Sequence, residues 1–515
     1  MNSTTIHVAR HPEAPSKRLF WGCFIVLVAS AFGFVFRSYL MHEWGVRFDL
    51  SKTQQGQIFG VSFWPFALSI VLFSLVIDKI GYKKSMIFAF ICHAASVLLT
   101  IFADGYWMLY FGTFLFALGN GAAEAVINPV VASMYPREKT KWLNILHAGW
   151  PMGIAVAGLF GITLIHFQVD WKIMMLFILL PTIAYGALIF NERFPVNERV
   201  KAGVKYVDML REVGVLGFLI ITSLCAFELG NLLGWGTPVS IGIIVAVVAF
   251  VGFYLKTWGR PLFVLLLLVM VPLATMELGT DSWITDLMTP EMQKLGFQGG
   301  WVLVFTAIIM TVLRLYTGVV TKRISPLGIL AISALVSAIG LQWLSFSTGA
   351  AILLAAAFYA LGKTYLWGTM LGVVSEQFPK GGALALNITS AVGQLGVGII
   401  GAVFLGAVQD GKIDTKLQAY DLQHHTTYHG EYVTEVKRSI FGEYKALNQD
   451  KLSRADTETL GVIADVENEA KKSALSTVSI LPVFMFLFFL GLVIYFRSKG
   501  GYRPVVLEDA PDSIH

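Results

Sequence analysis

The chain has 515 residues, of which 56% are hydrophobic and only 14% are charged. Soluble domains carry about 25% charged residues, so this composition excludes an ordinary soluble enzyme and predicts an all-α polytopic protein of the lipid bilayer. The net charge of +5 does not indicate a nucleic-acid partner, because the excess basic residues fall in short loops. The cysteines Cys23, Cys92 and Cys225 lie inside apolar stretches. We therefore expect no disulfide framework, no metal site and no cofactor.

Apolar runs separated by polar loops predict about fourteen transmembrane helices. The predicted ranges, in chain order, are 19–41, 55–77, 85–103, 107–135, 142–166, 171–190, 213–233, 238–256, 261–287, 300–320, 326–346, 350–377, 384–408 and 475–496. This number of helices is even, so both ends of the chain are expected on the same side of the membrane.

The distribution of basic residues predicts which side that is. With the N-terminus inside, the inner tails and loops hold most of the Lys and Arg residues, whereas the short outer loops hold only Arg47, Lys52, Lys172 and Lys294. Both termini are therefore expected in the cytoplasm. No glycosylation sequon lies in a predicted outer loop, which favours the inner (plasma) membrane of a bacterium as the location. We also expect the protein to be a monomer.

A polar, basic stretch after the sixth predicted helix divides the chain near its centre. It predicts an N-terminal six-helix bundle at 1–190 and a cytoplasmic linker with two extra helices at 191–260. A C-terminal six-helix bundle follows at 261–515, and it carries a polar outer insert at 409–474. The later half of this insert, 433–472, is expected to form one or two solvated helices.

Three histidines, His424, His425 and His429, lie close together in the insert. They have two interpretations, a metal site and a solvated cap. No acidic or cysteine ligand pattern surrounds them, which favours the solvated cap.

One acidic residue stands out in the fourth apolar run. Asn120, Glu124 and Asn128 are spaced at i, i+4 and i+8, so they point from one face of a helix whose intervening residues are small. A carboxylate in lipid costs roughly 2.5–3.5 kcal/mol on insertion scales unless it faces water or a partner. Glu124 is therefore expected to line an aqueous cavity, and the alternative is a buried structural ion pair.

The second inner loop, SLVIDKIGYKKS, resembles the loop signature of the major facilitator superfamily. The residues that carry this resemblance are Asp78, Lys79, Gly81, Lys83 and Lys84. Two positions depart from the signature, since Ser74 replaces a glycine and Tyr82 replaces a basic residue. A degenerate copy lies in the second half at Gly318 to Arg323. Together with the helix count and the central break, the loop predicts membership of that superfamily, with these residues at an inner gate.

That resemblance implies two six-helix bundles, a binding site near the middle of the bilayer, and alternating access by rocking of the bundles. Two extra helices would separate the bundles. In such transporters four helices line the cavity, and the corresponding helices here carry Arg37, Glu124, Glu277 with Asp281, and Lys363. Two acidic and two basic helices around one cavity are expected to neutralise one another.

Within the superfamily, GNGAAEAVINPVVASMYP resembles the fourth helix of fucose-permease-like sugar:proton symporters, and LNILHAGWPMG resembles their fifth. The resemblance implies that Glu124 couples transport to protons. Those symporters carry a second acid on the first helix, where this chain has Arg37, so Glu277 or Asp281 would have to substitute. Peptide transporters and fourteen-helix drug antiporters match less well, because their motifs on the first and fifth helices are missing.

Further polar and aromatic residues share helix faces with these charges. The additional candidates for solute binding are Asn144, His147, Tyr359, Trp367, Asn387 and Gln394. Each also has a structural interpretation as a helix-packing residue or as part of an aromatic belt. Arg314, about two turns from the inner end of its helix, is expected to belong to the inner gate.

The resemblance and these residues predict a secondary active transporter for a small polar solute, with sugar:proton symport expected first. The alternatives are a nucleoside:proton symporter, a proton-coupled exporter, and a sensor that binds a ligand without transport. An enzyme is not expected, because the apolar spans offer no nucleophile–base pair or metal cluster. An ATP-driven pump is not expected either, because a phosphate-binding loop of the G-x-x-x-x-G-K type is missing.

Overall fold

The computed structural model describes residues 16–297, 300–439 and 442–507. In these residues thirteen helices are long and apolar enough to cross a membrane, and the shorter Trp301–Leu315 adds a fourteenth. They are, as spans 1 to 14 in order, Lys17–Arg47, Gln54–Ile80, Tyr82–Ile101, Tyr106–Met134, Lys139–His166, Trp171–Ile189, Tyr206–Leu233, Thr237–Leu255, Pro261–Gly279, Trp301–Leu315, Pro326–Phe346, Ala351–Gln377, Pro379–His424 and Thr457–Ser498. Each predicted helix has its counterpart, so the predicted fold class is confirmed.

Several spans are interrupted within the membrane. Span 5 consists of Lys139–His147 and Gly149–His166, and span 12 consists of Ala351–Lys363 and Leu366–Gln377. Span 9 contains a π-helical turn, Thr275–Gly279, before it continues as Asp281–Lys294. An interruption leaves backbone N–H and C=O groups without their helical partners, and buried side chains must then supply the missing hydrogen bonds.

The spans form two bundles. In the N bundle (spans 1–6), span 4 packs on spans 2 and 3, while span 1 packs on spans 5 and 6. In the C bundle (spans 9–14), span 11 packs on spans 12 and 14, and span 9 packs on span 13. The bundles meet where span 5 contacts spans 10 and 12 and where span 13 contacts spans 2 and 4. The predicted domain limits at residues 190 and 260 stay predictions.

Small residues allow close approach at the bundle interface. A Cβ atom on Gly368 of span 12 would lie 2.7 Å from the Oδ1 atom of Asn144 on span 5. One turn further, a Cβ atom on Gly372 would lie 2.6 Å from the Cα atom of Thr140. Both distances are shorter than carbon side chains tolerate, so glycine is required for spans 5 and 12 to touch here.

A chain of contacts defines one surface of the membrane domain, called the terminal face below. Ser16, before span 1, donates to Glu192 after span 6 at 2.6 Å. Lys139, at the start of span 5, contacts Glu198 at 2.5 Å. Tyr502, after span 14, donates to Glu376 at the end of span 12 at 2.8 Å. The beginning of span 1 and the end of span 14 therefore lie on the same side.

Spans 7 and 8, the extra pair, attach to the C bundle. Span 7 is kinked at Gly214, where φ is +62°, and Val215 N–H donates to the carbonyl of Thr257 just before span 9 at 3.0 Å. The backbone of Gly259, also at positive φ, lies against Gly214, so a side chain at either position would clash. Span 7 packs on span 13, whereas span 8 is largely exposed on the lipid-facing surface.

The outer insert is built on helices that continue from the membrane. Ala402–His424 prolongs span 13, and Thr457–Val478 leads into Ile480–Ser498 of span 14. Strand β1, Glu435–Ser439, pairs antiparallel with strand β2, Gly442–Ala446. The short helices Tyr428–Tyr432 and Gln449–Leu452 flank this hairpin. The expectation of one or two helices in the later half was thus incomplete, because it did not include the hairpin.

The insert has its own apolar cluster, which includes Leu417, Val433 and Ile463. Its histidines do not converge on one point. His429 contacts the Oδ1 atom of Asp414 through Nε2 at 2.8 Å, while the His424 ring stacks on Tyr420 with centroids 4.0 Å apart. These contacts give the two histidines structural partners within the insert.

Asp421 organises the turn between the two halves of the insert, which gives a first prediction. Its carboxylate accepts the backbone N–H groups of Tyr428 at 3.1 Å and His429 at 2.7 Å. In Asp421→Ala these amides lose their acceptor, so their hydrogen exchange should accelerate about tenfold. Asp465→Ala, an exposed helical position, is the matched control. Unchanged protection at residues 428 and 429 in Asp421→Ala would contradict this role.

Candidate functional site

A buried ion pair between Arg314 of span 10 and Glu277 of span 9 lies at the centre of the C bundle. Both residues are bound to the interruption of span 12. Arg314 Nε donates to the carbonyl of Thr364 at 2.7 Å, and Glu277 Oε2 accepts the N–H of Trp367 at 3.0 Å. The break in span 12 thus exposes one acceptor and one donor, and the ion pair satisfies both.

A second ion pair joins Lys363 of span 12 to Asp281 of span 9. Lys363 also donates to the carbonyl of Glu277 at 3.2 Å, and the Tyr359 hydroxyl donates to the carbonyl of Met276 at 2.7 Å. Both carbonyls belong to the π-helical turn, whose irregular backbone makes them accessible. The Asp281 side chain is 38% exposed, so this end of the cluster lies at a narrow crevice between spans 9, 10 and 12.

Hydrogen bonds connect this cluster to the N bundle. Arg314 Nη1 donates to the carbonyl of His147 on span 5 at 2.9 Å. The His147 ring contacts Asn128 Oδ1 through Nε2 at 2.9 Å, and Asn128 Nδ2 lies 3.5 Å from Glu124 Oε1, at the long limit of a hydrogen bond. A polar chain therefore runs from Glu124 on span 4 through spans 5, 10 and 9 to Lys363 and Asp281.

Glu124 is a buried acid with neutral neighbours. It is 5% exposed, and in the part of the chain that the structure describes it forms no ion pair. Its neighbours are the amide of Asn128 and the hydroxyl of Ser390 on span 13. Asn120, one turn away, accepts from Ser30 at 2.8 Å. The three residues predicted on one helix face thus all lie in the buried polar interior, and Glu124 has only neutral partners.

Arg37 lies apart from this chain. Its guanidinium donates to the carbonyl of Gly33 at 3.1 Å and to Ser96 of span 3 at 2.7 Å. It also stacks over the Phe116 ring at 4.3 Å, and the His93 ring lies on Phe116 with centroids 4.7 Å apart. The expected meeting of all four charged helices is therefore not seen in this conformation, because Arg37 points towards span 3, inside the N bundle.

The remaining predicted residues are placed as follows. Asn144 donates to Thr369 of span 12 at 3.0 Å, so it bridges the bundles. Asn387 of span 13 donates to the carbonyl of Ala125 on span 4 at 3.0 Å, a second bridge. Trp367 is buried, with its ring against Gly393, whereas Gln394 is half-buried.

Contacts between spans 5 and 12, called the terminal gate below, join the two bundles at the terminal face. The Glu376 carboxylate, at the end of span 12, accepts from the backbone N–H of Thr140 at 3.1 Å and from its hydroxyl at 2.6 Å. Tyr502 donates to the same carboxylate, while Val505 N–H donates to the Glu376 carbonyl at 2.8 Å. Lys139 reaches the carbonyl of Ser375 at 3.2 Å. Spans 5 and 12 and the C-terminal segment thus meet at one carboxylate.

The loop signature residues lie on the same face. Asp78 pairs with Arg199 of the segment after span 6, and Gly81 has φ of +88° between spans 2 and 3. Lys79 lies 5.9 Å from the Tyr206 ring, while Lys83 and Lys84 are exposed. Their role in gating stays a prediction.

Arg314 bonds to span 5 of the opposite bundle, and its role at the inner gate stays a prediction. Sequence reasoning missed Thr140, Glu376 and Tyr502. Of these, only Glu376 gave a signal, as an acid at the end of a long apolar segment. The partners of Arg314 are set by which helices pack together, which helix periodicity does not specify.

Two helix bundles with interrupted spans and a buried polar chain between them define the architecture of a polytopic membrane protein. The sequence model of the Major Facilitator Superfamily matches residues 19–401, and the chain belongs to that superfamily. It is an integral membrane protein and a transporter by family, not an enzyme.

Two curated relatives match part of the chain. The gentisate transporter of Corynebacterium glutamicum is 24% identical over 169 residues, which are 32% of this chain and 37% of the relative. The hexuronate transporter of Bacillus subtilis is 26% identical over 144 residues, 28% of this chain and 34% of the relative. The chain thus spans about a third of the length of these relatives.

A solved structure of the proton:xylose symporter XylE is similar in fold, with a TM-score of 0.58 at 14% sequence identity. The likeness covers 92% of this chain and 95% of that structure. At this identity it shows the fold of the membrane domain.

The Lys363–Asp281 pair gives a second prediction. Asp281→Leu leaves a buried ammonium group without its carboxylate, and because the pair is partly exposed the expected loss is roughly 1–3 kcal/mol. The double variant Asp281→Leu with Lys363→Met should recover most of it, since no buried charge remains. The measurement is thermal unfolding of the purified protein in detergent. A double variant less stable than Asp281→Leu would contradict this view of the pair.

The terminal gate gives a third prediction. Glu376→Leu removes the acceptor shared by Thr140 and Tyr502, so the gate should open more often. A cysteine introduced at Ser375, which is buried beneath the gate, should then react about tenfold faster with a bulky maleimide. Glu376→Gln keeps an acceptor oxygen and serves as the control, with an intermediate rate expected. Equal labelling of Ser375→Cys with and without Glu376→Leu would contradict the gate.

Proposed function

We propose that this protein is a proton-coupled secondary transporter that imports a small hydroxylated solute, a sugar first, by alternating access. One observation carries the proposal. Glu124 is a buried carboxylate with neutral partners, at one end of a polar chain that crosses both bundles.

Glu124 suits a proton carrier because no ion pair has to break when it gains or loses a proton. Arg314 and Lys363 each have a carboxylate partner, so their charges are compensated in the closed protein. An ionised Glu124 has only amide and hydroxyl neighbours there, and a buried charge without a counter-ion is costly. Closure around Glu124 therefore favours its protonated form, which links proton binding to the conformational change.

Asp281 is the second proposed proton-coupling residue. Its side chain is the accessible member of the cluster, and it contacts Lys363, which also touches the backbone of Glu277. Protonation of Asp281 would release Lys363 and loosen the contact between spans 9 and 12. The two acids would then act at opposite ends of one chain of hydrogen bonds.

The residues proposed to bind the solute lie around this chain. Hydroxylated solutes are bound by amide and imidazole groups together with aromatic faces, and the interface supplies Asn144, His147, Asn387, Tyr359 and Trp367. In the closed conformation the amide, imidazole and hydroxyl groups among them bond to other groups of the protein. A bound solute would replace those bonds when the bundles separate.

A carboxylate-bearing solute, such as a sugar acid, is the second candidate. Two observations favour it. The relatives are named for gentisate and hexuronate, both carboxylates. Arg37 is a buried cation that, among the described residues, pairs with no carboxylate, and its Nε atom has no hydrogen-bond partner. A solute carboxylate would supply the missing counter-charge.

Import also requires an orientation. We propose that the terminal face is cytoplasmic, because most basic residues of the loops lie on that side. The structure would then be closed towards the cytoplasm through Glu376, with the insert outside. A monomer in a bacterial inner membrane fits this arrangement.

The fourth prediction tests Glu124. Proteoliposomes with an imposed pH gradient would be tested for uptake of radiolabelled D-xylose, L-fucose, D-glucuronate and gentisate. Glu124→Gln mimics the protonated acid, so it should abolish uphill accumulation while counterflow exchange of the same solute persists in part. Glu43→Gln, an exposed acid at the end of span 1, is the matched control.

Uphill uptake by Glu124→Gln at the parent rate would remove Glu124 from the mechanism. Counterflow of none of the four probes by the parent protein would favour the sensor, and movement of a probe against the proposed direction would favour an exporter.

A further inference from the structure

Two prolines of the N bundle occupy positions that leave a backbone carbonyl without its helical donor. In an α-helix the N–H of residue i donates to the carbonyl of residue i−4, and proline has no N–H. Pro129 in span 4 therefore cannot bond to the carbonyl of Ala125. Pro151 in span 5 likewise cannot bond to the carbonyl of His147, where the first helical segment ends.

Both of these carbonyls accept a hydrogen bond from the opposite bundle. Asn387 Nδ2 of span 13 donates to the Ala125 carbonyl at 3.0 Å. Arg314 Nη1 of span 10 donates to the His147 carbonyl at 2.9 Å. The two donor side chains are buried, at 0% and 2% exposure. Each would lack this partner if the bundles moved apart.

We infer that Pro129 and Pro151 are positioning residues, which create two backbone acceptors on which the C bundle docks in the closed conformation. The inference does not depend on which solute is carried or on proton coupling. The pair Ala125–Asn387 is called the span 4 latch, and the pair His147–Arg314 is called the span 5 latch.

Both latches lie next to the proposed proton carrier. Ala125 follows Glu124 in the chain, and the ring of His147 bonds to Asn128 one turn further along span 4. Closing both latches brings the C bundle over Glu124 and excludes water from it. The acceptors are backbone carbonyls, which do not titrate. The hydrogen bonds of the two latches therefore form or break only as the distance between the two bundles changes.

The latches differ in strength. Asn387 is neutral, whereas Arg314 is charged and stays paired with Glu277 while it docks. Hydrogen bonds from charged donors contribute about twice as much as neutral ones. The span 5 latch should therefore dominate closure, with the span 4 latch fixing the position of span 13.

The fifth prediction uses proline replacement. Pro151→Ala and Pro129→Ala each restore an N–H that competes with Arg314 or Asn387 for the freed carbonyl. Alanine is also the better helix former, so these variants should fold and keep or raise their thermal stability. Pro272→Ala is the matched control, because this proline lies inside span 9 and Leu268, four residues earlier, faces the lipid-exposed surface.

The measurement is the distance between spin labels by pulsed electron resonance, on full-length protein without native cysteines. One label pair, Arg137→Cys with Arg323→Cys, reports the terminal face, and Val46→Cys with Gln293→Cys reports the opposite face. In Pro151→Ala the population with widened distances, summed over both pairs, should rise about tenfold, and in Pro129→Ala about threefold.

A double variant separates the latch from helix straightening. If Pro129 acts through Asn387, Pro129→Ala should add nothing to the populations seen in Asn387→Ala. Additive widening would overturn the span 4 latch. Unchanged populations in Pro151→Ala, or equal widening in Pro272→Ala, would overturn the inference as a whole.

Discussion

The closed conformation depends on how Arg314 is bonded. A buried guanidinium group must have partners for its N–H donors, because an unpaired buried charge costs several kcal/mol. Arg314 finds a carboxylate on span 9, a carbonyl at the break of span 12 and a carbonyl on span 5. These three partners belong to both bundles. Arg314 is therefore one of the side chains that fix the relative position of the bundles, and it needs replacement partners before it can leave them.

Interruption of helices is the means by which the protein supplies those partners. The π-helical turn of span 9, the gap in span 12 and the break in span 5 each expose a backbone group that a buried charged side chain reaches. In a membrane such groups cannot bond to lipid, so they select polar side chains from neighbouring helices. The buried Lys363, Glu277 and Tyr359 are all held by carbonyl or N–H groups of this kind. Polar side chains and irregular backbone thus stabilise one another.

The sequence was sufficient for the number of spans, because a run of about twenty apolar residues has few other structures available to it. It also placed Asn120, Glu124 and Asn128 on one buried face, since their spacing matches the helical repeat. It could not pair Glu277 with Arg314, which are distant in the chain and meet only through packing of spans 9, 10 and 12. Nor could it show that Arg37 turns towards Ser96, because a helix face can contact several neighbours. The hairpin of the insert follows from pairing of strands that are short and polar, which gives little periodic signal.

The helix Thr457–Val478, which precedes Ile480–Ser498 within span 14, rises about 33 Å along its axis at the usual pitch. A tilt of the C bundle by about 10° would carry the far end of that helix through about 6 Å. The far end of the insert is therefore displaced further than the membrane-embedded helices when the C bundle rotates by a small angle. An antibody fragment raised against the hairpin Glu435–Ala446 would serve as an external marker for particle alignment, and its displacement would measure the rocking angle directly.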